Sequence, residues 1–145
     1  EEELTEAFWK FLESNRQSAA PVSIDLPLIS NQEVWINIAL IKQYHENTPR
    51  GAAENIALDA LAKLDLVNIA YLRNPSLTGE ERFCALLLRA CMVRDALVVI
   101  DRPFRIIPHL SNSDFIFQTL KKIEDFFATC YIFDYQWMKE RYGEI

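Results

Sequence analysis

Apolar residues recur at helical spacing near the start of the chain, with Leu4, Phe8, Phe11 and Leu12 on one face, which predicts an amphipathic helix over Glu3–Ser14. The polar stretch Asn15–Ala20 ends it ahead of Pro21. Val22–Leu28 then reads as a short strand interrupted by Pro27. Ser30 followed three residues later by Glu33 has the form of a capping box, and it opens a helix whose stripe is Val34, Ile38 and Ile41 and which ends near His45. After a turn at Asn47–Gly51, another helix turns Ala53, Ile56, Ala57, Ala60, Leu61 and Leu64 inward and Glu54, Asp59 and Lys63 outward. Thr78 is placed to cap the next helix, with Leu86, Leu87 and Ala90 on its buried side and an end near Asp95. Ala96–Ile100 is a continuous apolar, β-branched run of the kind found in parallel strands covered on both faces. A helix starting at Ser111 or Ser113 carries Ile116, Leu120, Ile123 and Phe127 in register, and Ala128–Phe133 is the last strand candidate.

Helix and strand alternate toward the C-terminus, which implies a right-handed crossover and a small parallel sheet, whereas Val34–Leu66 is helical throughout. The predicted class is therefore α/β. With 145 residues, half of them apolar, the chain has the size of one domain. A net charge of −6 argues against nucleic acid and anionic membrane as direct partners, since both reward a basic stripe. The sequence contains neither a run long enough to insert in a membrane nor a signal peptide, and reads as cytoplasmic. Cys84, Cys91 and Cys130 are odd in number and lie in apolar surroundings, so they read as buried thiols rather than as a disulfide frame or a metal site. The chain opens Glu-Glu-Glu without methionine, as a processed or excised piece would.

The stretch Ser76–Phe104 carries the most chemistry. Leu77-Thr-Gly-Glu-Glu81 at a helix start, Arg82, then Arg89-Ala90 within the helix, then an apolar strand ending Asp101-Arg-Pro103, resembles the signature and Walker B region of ABC-type ATPases. A second stretch, Leu28-Ile-Ser-Asn-Gln-Glu-Val-Trp-Ile-Asn-Ile-Ala-Leu40 with Tyr44-His45, and later Ala60–Leu66, is similar to the lipid-transport and solvent-resistance (Mla-type) branch of that family. The resemblance covers roughly Pro21 to Asp134. It implies a partial P-loop NTPase fold, a parallel sheet (about 20–29 and 96–134) with an inserted helical subdomain (about 30–95), all within one domain spanning 1–145.

The family's catalytic stations, carried over position by position, are damaged. A Walker A loop cannot be written from Gly51, Gly79 and Gly143, so the resemblance implies no anchor for the β- and γ-phosphates within these residues. The Q-loop glutamine aligns with Ile24, the catalytic glutamate with Arg102 and the switch histidine with Asp134; the D-loop reads Arg105-Ile-Ile-Pro-His109. Arginine cannot take a proton from water at neutral pH. The nucleotide-binding remnant is Leu77, Thr78, Gly79, Glu80 and Glu81, where Thr78 keeps a hydroxyl and Gly79 a close backbone approach, but Glu80 sets a carboxylate where a phosphate would lie. The plainer reading of the same five residues is a capped helix start. Asp101 is the implied metal ligand, a weak set alone. Arg102 reads as a surface or interface ion pair, with a phosphate or a partner carboxylate as the alternative. Leu28 and Trp35 are candidate partner contacts, because Trp35 is rotated off the Val34–Ile38–Ile41 stripe; the alternative is that Trp35 belongs to the core.

The expectation is a non-hydrolytic cassette with no catalytic residue. Its partner would be an ABC permease or a competent ATPase subunit, placing it at the inner membrane without insertion. ATP and Mg²⁺ would be cofactors only if an upstream Walker A segment or a partner supplies that site. An orphan interaction domain is a further alternative.

Overall fold

The computed structural model describes residues 1–143. In chain order the elements are α1 (Glu2–Ser14), β1 (Ala19–Val22), α2 (Val34–His45), α3 (Arg50–Lys63), α4 (Gly79–Cys91), β2 (Leu97–Asp101), α5 (Asp114–Lys122) and β3 (Thr129–Phe133), with short 3₁₀ turns between some of them and a 3₁₀ segment, Gln136–Tyr142, after β3. The three strands form one sheet in the order β1-β2-β3, all parallel, so the α/β expectation holds. Among the described residues, no helix is long and apolar enough to cross a membrane.

Side chains alternate across the pleat, and the sheet has a different neighbour on each face. Ala20, Val22, Val98 and Ile100, with half-buried Cys130 and Ile132, join the main core, which includes Trp35, Leu61, Phe83 and Leu87. Each large apolar side chain buried there stabilises the fold by roughly 1.5–3 kcal/mol. On the other face, α1 lays an aromatic edge over β3. Phe8 meets Phe133 with ring centroids 6.0 Å apart, and Phe11 meets Tyr131 at 5.3 Å and Phe133 at 5.4 Å, all edge-on. The helices between β1 and β2 form a layer in which α2 packs on both α3 and α4, while α4 packs on the sheet.

Three predicted boundaries are corrected. The first strand is Ala19–Val22 rather than Val22–Leu28, because the chain turns at Ser23: its Oγ accepts from Asp25 N–H (3.1 Å) and its carbonyl from Leu26 N–H (3.1 Å). Proline at position 21 is tolerated because β1 is an edge strand. The start of α2 is not a Ser30 capping box, since its N-cap is Glu33 with no side-chain cap bond. Its first free N–H groups are instead satisfied from elsewhere in the chain, Val34 by the Leu72 carbonyl (2.9 Å) and Trp35 by the Ala70 carbonyl (3.0 Å). Buried Asn37 ties down the preceding loop by accepting from Ile29 N–H (2.8 Å) and donating to the Ile29, Gln32 and Glu33 carbonyls. Finally, α5 stops at Lys122, and Phe127 lies in extended backbone beyond a 3₁₀ turn.

Candidate functional site

Parallel sheets gather chemistry at the carboxyl ends of their strands. Here Ser23 follows β1, Asp101 ends β2 with Arg102 after it, and Asp134 follows β3. Arg102 is not a surface or interface ion pair: it is 2% exposed, and Asp101 is 1% exposed. Its backbone sits in the left-handed region (φ 43°), uncommon for a residue with a side chain. That turn folds the guanidinium back on its own neighbour. Arg102 Nε donates to Asp101 Oδ1 at 2.7 Å and Nη2 to Oδ2 at 3.1 Å, while Nη1 donates to the Tyr135 hydroxyl at 3.2 Å. Ser23 Oγ donates to Asp101 Oδ2 at 2.8 Å. The bond to Asp101 holds the Arg102 guanidinium above its usual range.

Both carboxylate oxygens of Asp101 are thus engaged by protein donors, and the neighbouring charge is a cation. That donor set does not fit a magnesium ion, which demands several oxygen ligands and waters. Among the described residues there is no group of three or more His, Cys, Asp or Glu side chains that could hold a metal. Asp134 is likewise engaged within the chain. Its Oδ1 accepts from Tyr135 N–H at 2.8 Å and its Oδ2 from the Tyr142 hydroxyl. Burial, and then that carboxylate, push the Tyr142 phenol above its ordinary range.

The stretch from Leu77 to Glu81 forms a capped helix start. Thr78 Oγ1 accepts from Glu81 N–H (3.1 Å) while Glu81 Oε1 accepts from Thr78 N–H (2.9 Å), a complete capping box at the head of α4. Leu77 is buried, and Glu80 Oε1 lies 3.0 Å from His109 Nε2. A Cβ on Gly79 would stand 3.3 Å from the Ile106 carbonyl, so the close approach that glycine permits is made to the chain's own loop after β2. A cavity of about 410 Å³ brings Ile24, Gly79, Arg82, Arg105, Ile106 and His109 together. Within it, Arg105 lies 3.8 Å from Asp25, and Arg82 is held by Asn74 Oδ1 (2.7 Å) and the Leu77 carbonyl (3.0 Å). Arg89 of α4 pins the turn after β1 by donating to the carbonyls of Pro27 (2.9 Å) and Leu26.

Leu28 and Trp35 do not present a contact surface. They are 4% and 1% exposed, because the residues after the Ser23 turn carry Leu28 inward and the α2 start places the indole between Glu33 and Arg50. Burial pushes the thiols of Cys84 and Cys91 up to about 12 and that of Cys130 to about 11, so all three stay protonated near neutrality. Sequence reasoning missed Ser23, Tyr135 and Tyr142, the hydrogen-bonding partners of Asp101, Arg102 and Asp134. No motif marks them, and Ser23 fell inside a mispredicted strand.

No protein-family model matches the chain, and no curated protein matches it. Solved structures do. A metal-chelate type ABC transporter in an inward-facing conformation superposes with a TM-score of 0.60 at 21% identity, over 79% of this chain and 47% of that one. The bacterial ABC transporter cassette MJ0796 superposes in two dimeric structures. One is in a post-hydrolysis state with ADP and Pi (TM-score 0.61, 20% identity, 85% of this chain and 54% of that one). The other gives a TM-score of 0.61 at 20% identity, over 86% of this chain and 56% of that one. The fold therefore matches part of that of ABC ATPase cassettes, and the chain spans about half the length of the structures it matches.

Proposed function

We propose that this chain is a cassette-like subunit of an ABC-type transport system that works by contact rather than hydrolysis, seated on a permease or on a competent ATPase subunit. The observation that carries the reading is the Asp101–Arg102 pair. Where the sequence resemblance implies a metal ligand followed by a general base, the chain has a carboxylate neutralised by its own guanidinium, held by bonds of 2.7 and 3.1 Å. A general base commonly contributes on the order of 10² to 10⁴ in rate, and arginine supplies none of it. The engagement of Thr78, Glu80 and Glu81 in contacts within the chain supports the same reading. A lipid-type system is favoured by the resemblance of Leu28–Leu40 to the Mla-type branch.

Titration calorimetry with ATP and Mg²⁺ at millimolar concentration tests it. No binding tighter than a Kd of about 0.1 mM, near −5.5 kcal/mol, is expected. A tighter constant shows that another cradle for the phosphates exists and overturns the reading. Restoring an acid with Arg102→Glu is expected to leave phosphate release at background, since parts that act as a unit do not rescue singly. The substitution also sets a second carboxylate against Asp101. Phosphate release above background by the folded variant would count against the proposal.

A second reading is favoured by one observation, that the chain spans about half the length of the matched structures. In it, a segment ahead of Glu1 supplies the Walker A loop and the longer protein binds ATP. A glycine-rich Lys-Ser/Thr loop encoded upstream, together with nucleotide binding by that longer protein, would decide for it.

A further inference from the structure

A second cavity, of about 300 Å³, borders the start of α4 without including Gly79. Its lining lies between Leu64 and Lys122 and comes from three elements of this chain: the end of α3 with the residues just after it, the first two turns of α4, and α5. No residue near either end of the chain takes part. Leu64, Leu66 and Phe115 supply an apolar wall, and Cys84 and Thr119 complete its buried side. Glu80, Glu81 and Lys122 stand at the more exposed side.

The polar groups of this lining are mostly acceptors with capacity left. Glu81 spends Oε1 on Thr78 N–H (2.9 Å) and Glu80 spends Oε1 on His109 Nε2 (3.0 Å), and neither Oε2 has a hydrogen-bond partner among the described residues. The Thr119 hydroxyl donates to the Phe115 carbonyl (2.8 Å), which leaves its oxygen free to accept. Charge leans the same way. Two carboxylates stand against one ammonium, and that ammonium, Lys122, forms no ion pair among the described residues. The cavity also touches the carboxyl ends of two helices, α3 at Leu64 and α5 at Lys122, where the backbone dipole favours a cation, against the amino end of α4 alone. Burial first, and the Glu80 charge next, raise the Cys84 thiol, so that negative charge is felt at the buried wall.

A metal ion does not suit these groups, since among the described residues no three His, Cys, Asp or Glu side chains come together to hold one. We propose that this cavity binds an organic cation, a primary ammonium on an apolar body, with about ten non-hydrogen atoms in all, the number that about 300 Å³ holds at roughly 30 Å³ apiece, water's share of its liquid. The ammonium donates to the free oxygens of Glu80 and Glu81, and Lys122 turns toward solvent on its flexible stem. The body lies against Leu64, Leu66 and Phe115, which take it out of water. The apolar wall gives a bare small ammonium nothing to bury, and the two carboxylates repel an acid of the same shape.

Phenethylammonium fits that size and is the probe. Titrated into the full chain at low salt and followed by backbone amide NMR, it is expected to bind with a Kd of about 1 mM or tighter. The shifts are expected at Glu80–Cys84 and Phe115–Lys122. Phenethyl alcohol, phenylacetate and methylammonium, which lack the charge, reverse it or lack the apolar body, are each expected to bind at least about tenfold more weakly. Replacing both acids, Glu80→Gln with Glu81→Gln, keeps at position 81 a side chain that serves in a capping box. With its thermal midpoint retained, that variant is expected to bind phenethylammonium at least about fivefold more weakly, through loss of the charged acceptors. Lys122→Gln, at an exposed position, is expected to tighten binding by about twofold or more, because a like charge is gone. If the double variant does not fold, Lys122→Gln carries this arm. A Kd weaker than about 1 mM for phenethylammonium overturns the proposal. So does binding of phenethyl alcohol or phenylacetate as tight as that of phenethylammonium, a Lys122→Gln chain that binds no tighter than wild type, or a set of shifts confined to other parts of the chain.

Discussion

Replacing Arg102 by methionine is expected to lower folding stability by about 3–5 kcal/mol, the cost of leaving one member of a buried ion pair without the other. Asp101, 1% exposed, would keep only the Ser23 hydroxyl at 2.8 Å as a donor. Methionine also inherits the left-handed backbone at position 102 without the guanidinium contacts that hold it there, and such a conformation costs about 1–2 kcal/mol for any residue with a Cβ. Removing both charges with Asp101→Asn and Arg102→Met together is expected to recover part of the loss, since no buried charge is then left without its partner, while the amide N–H groups of the asparagine still lack an acceptor. Urea unfolding of the two single variants and the double variant measures the coupling as a double-mutant cycle. A loss under about 1 kcal/mol for Arg102→Met, the range of exposed surface pairs, would show that the pair is screened by water and would remove the physical basis for reading Asp101 as a carboxylate neutralised by its own neighbour.

That pair also marks where sequence reasoning stops. The cap at Thr78 was legible because a hydroxyl there satisfies an N–H within the same helical turn, though the reciprocal bond from Glu81 was not foreseen, and β2 was legible because five consecutive residues read as a buried parallel strand. The start of α2 was not, because the groups that satisfy it are the carbonyls of Ala70 and Leu72, brought in by tertiary structure rather than by the Ser30–Glu33 spacing. β1 lay three residues earlier than predicted because Ala19-Ala-Pro-Val22 gives a weak strand signal of its own and is held by pairing with β2. At the site, the order of Asp101 and Arg102 was visible, but their bonding was not. It depends on a positive φ at Arg102 and on Ser23 and Tyr135, 78 and 33 residues away from their partners.

Trp35 carries the other large expected effect. Trp35→Ala should cost about 3–5 kcal/mol, as other buried aromatic truncations do. The indole is 1% exposed, its Nε1–H donates to Glu33 Oε1 at 3.2 Å, and the Arg50 guanidinium lies 4.9 Å from the ring centroid. Truncation therefore opens a cavity at the head of α2, removes a hydrogen bond and frees the Arg50 side chain that bridges from the start of α3. Against a total stability of about 5–15 kcal/mol this is a large fraction, and at about 2–4 °C per kcal/mol it should lower the thermal midpoint by about 10 °C. Trp35→Phe retains most of the buried area and should lose much less. Chemical denaturation of both variants checks the ordering. If Trp35→Ala instead kept the wild-type midpoint while losing co-purification with a membrane partner, the indole would be an interface anchor after all, and the packing of α2 against α3 described above would have to be wrong.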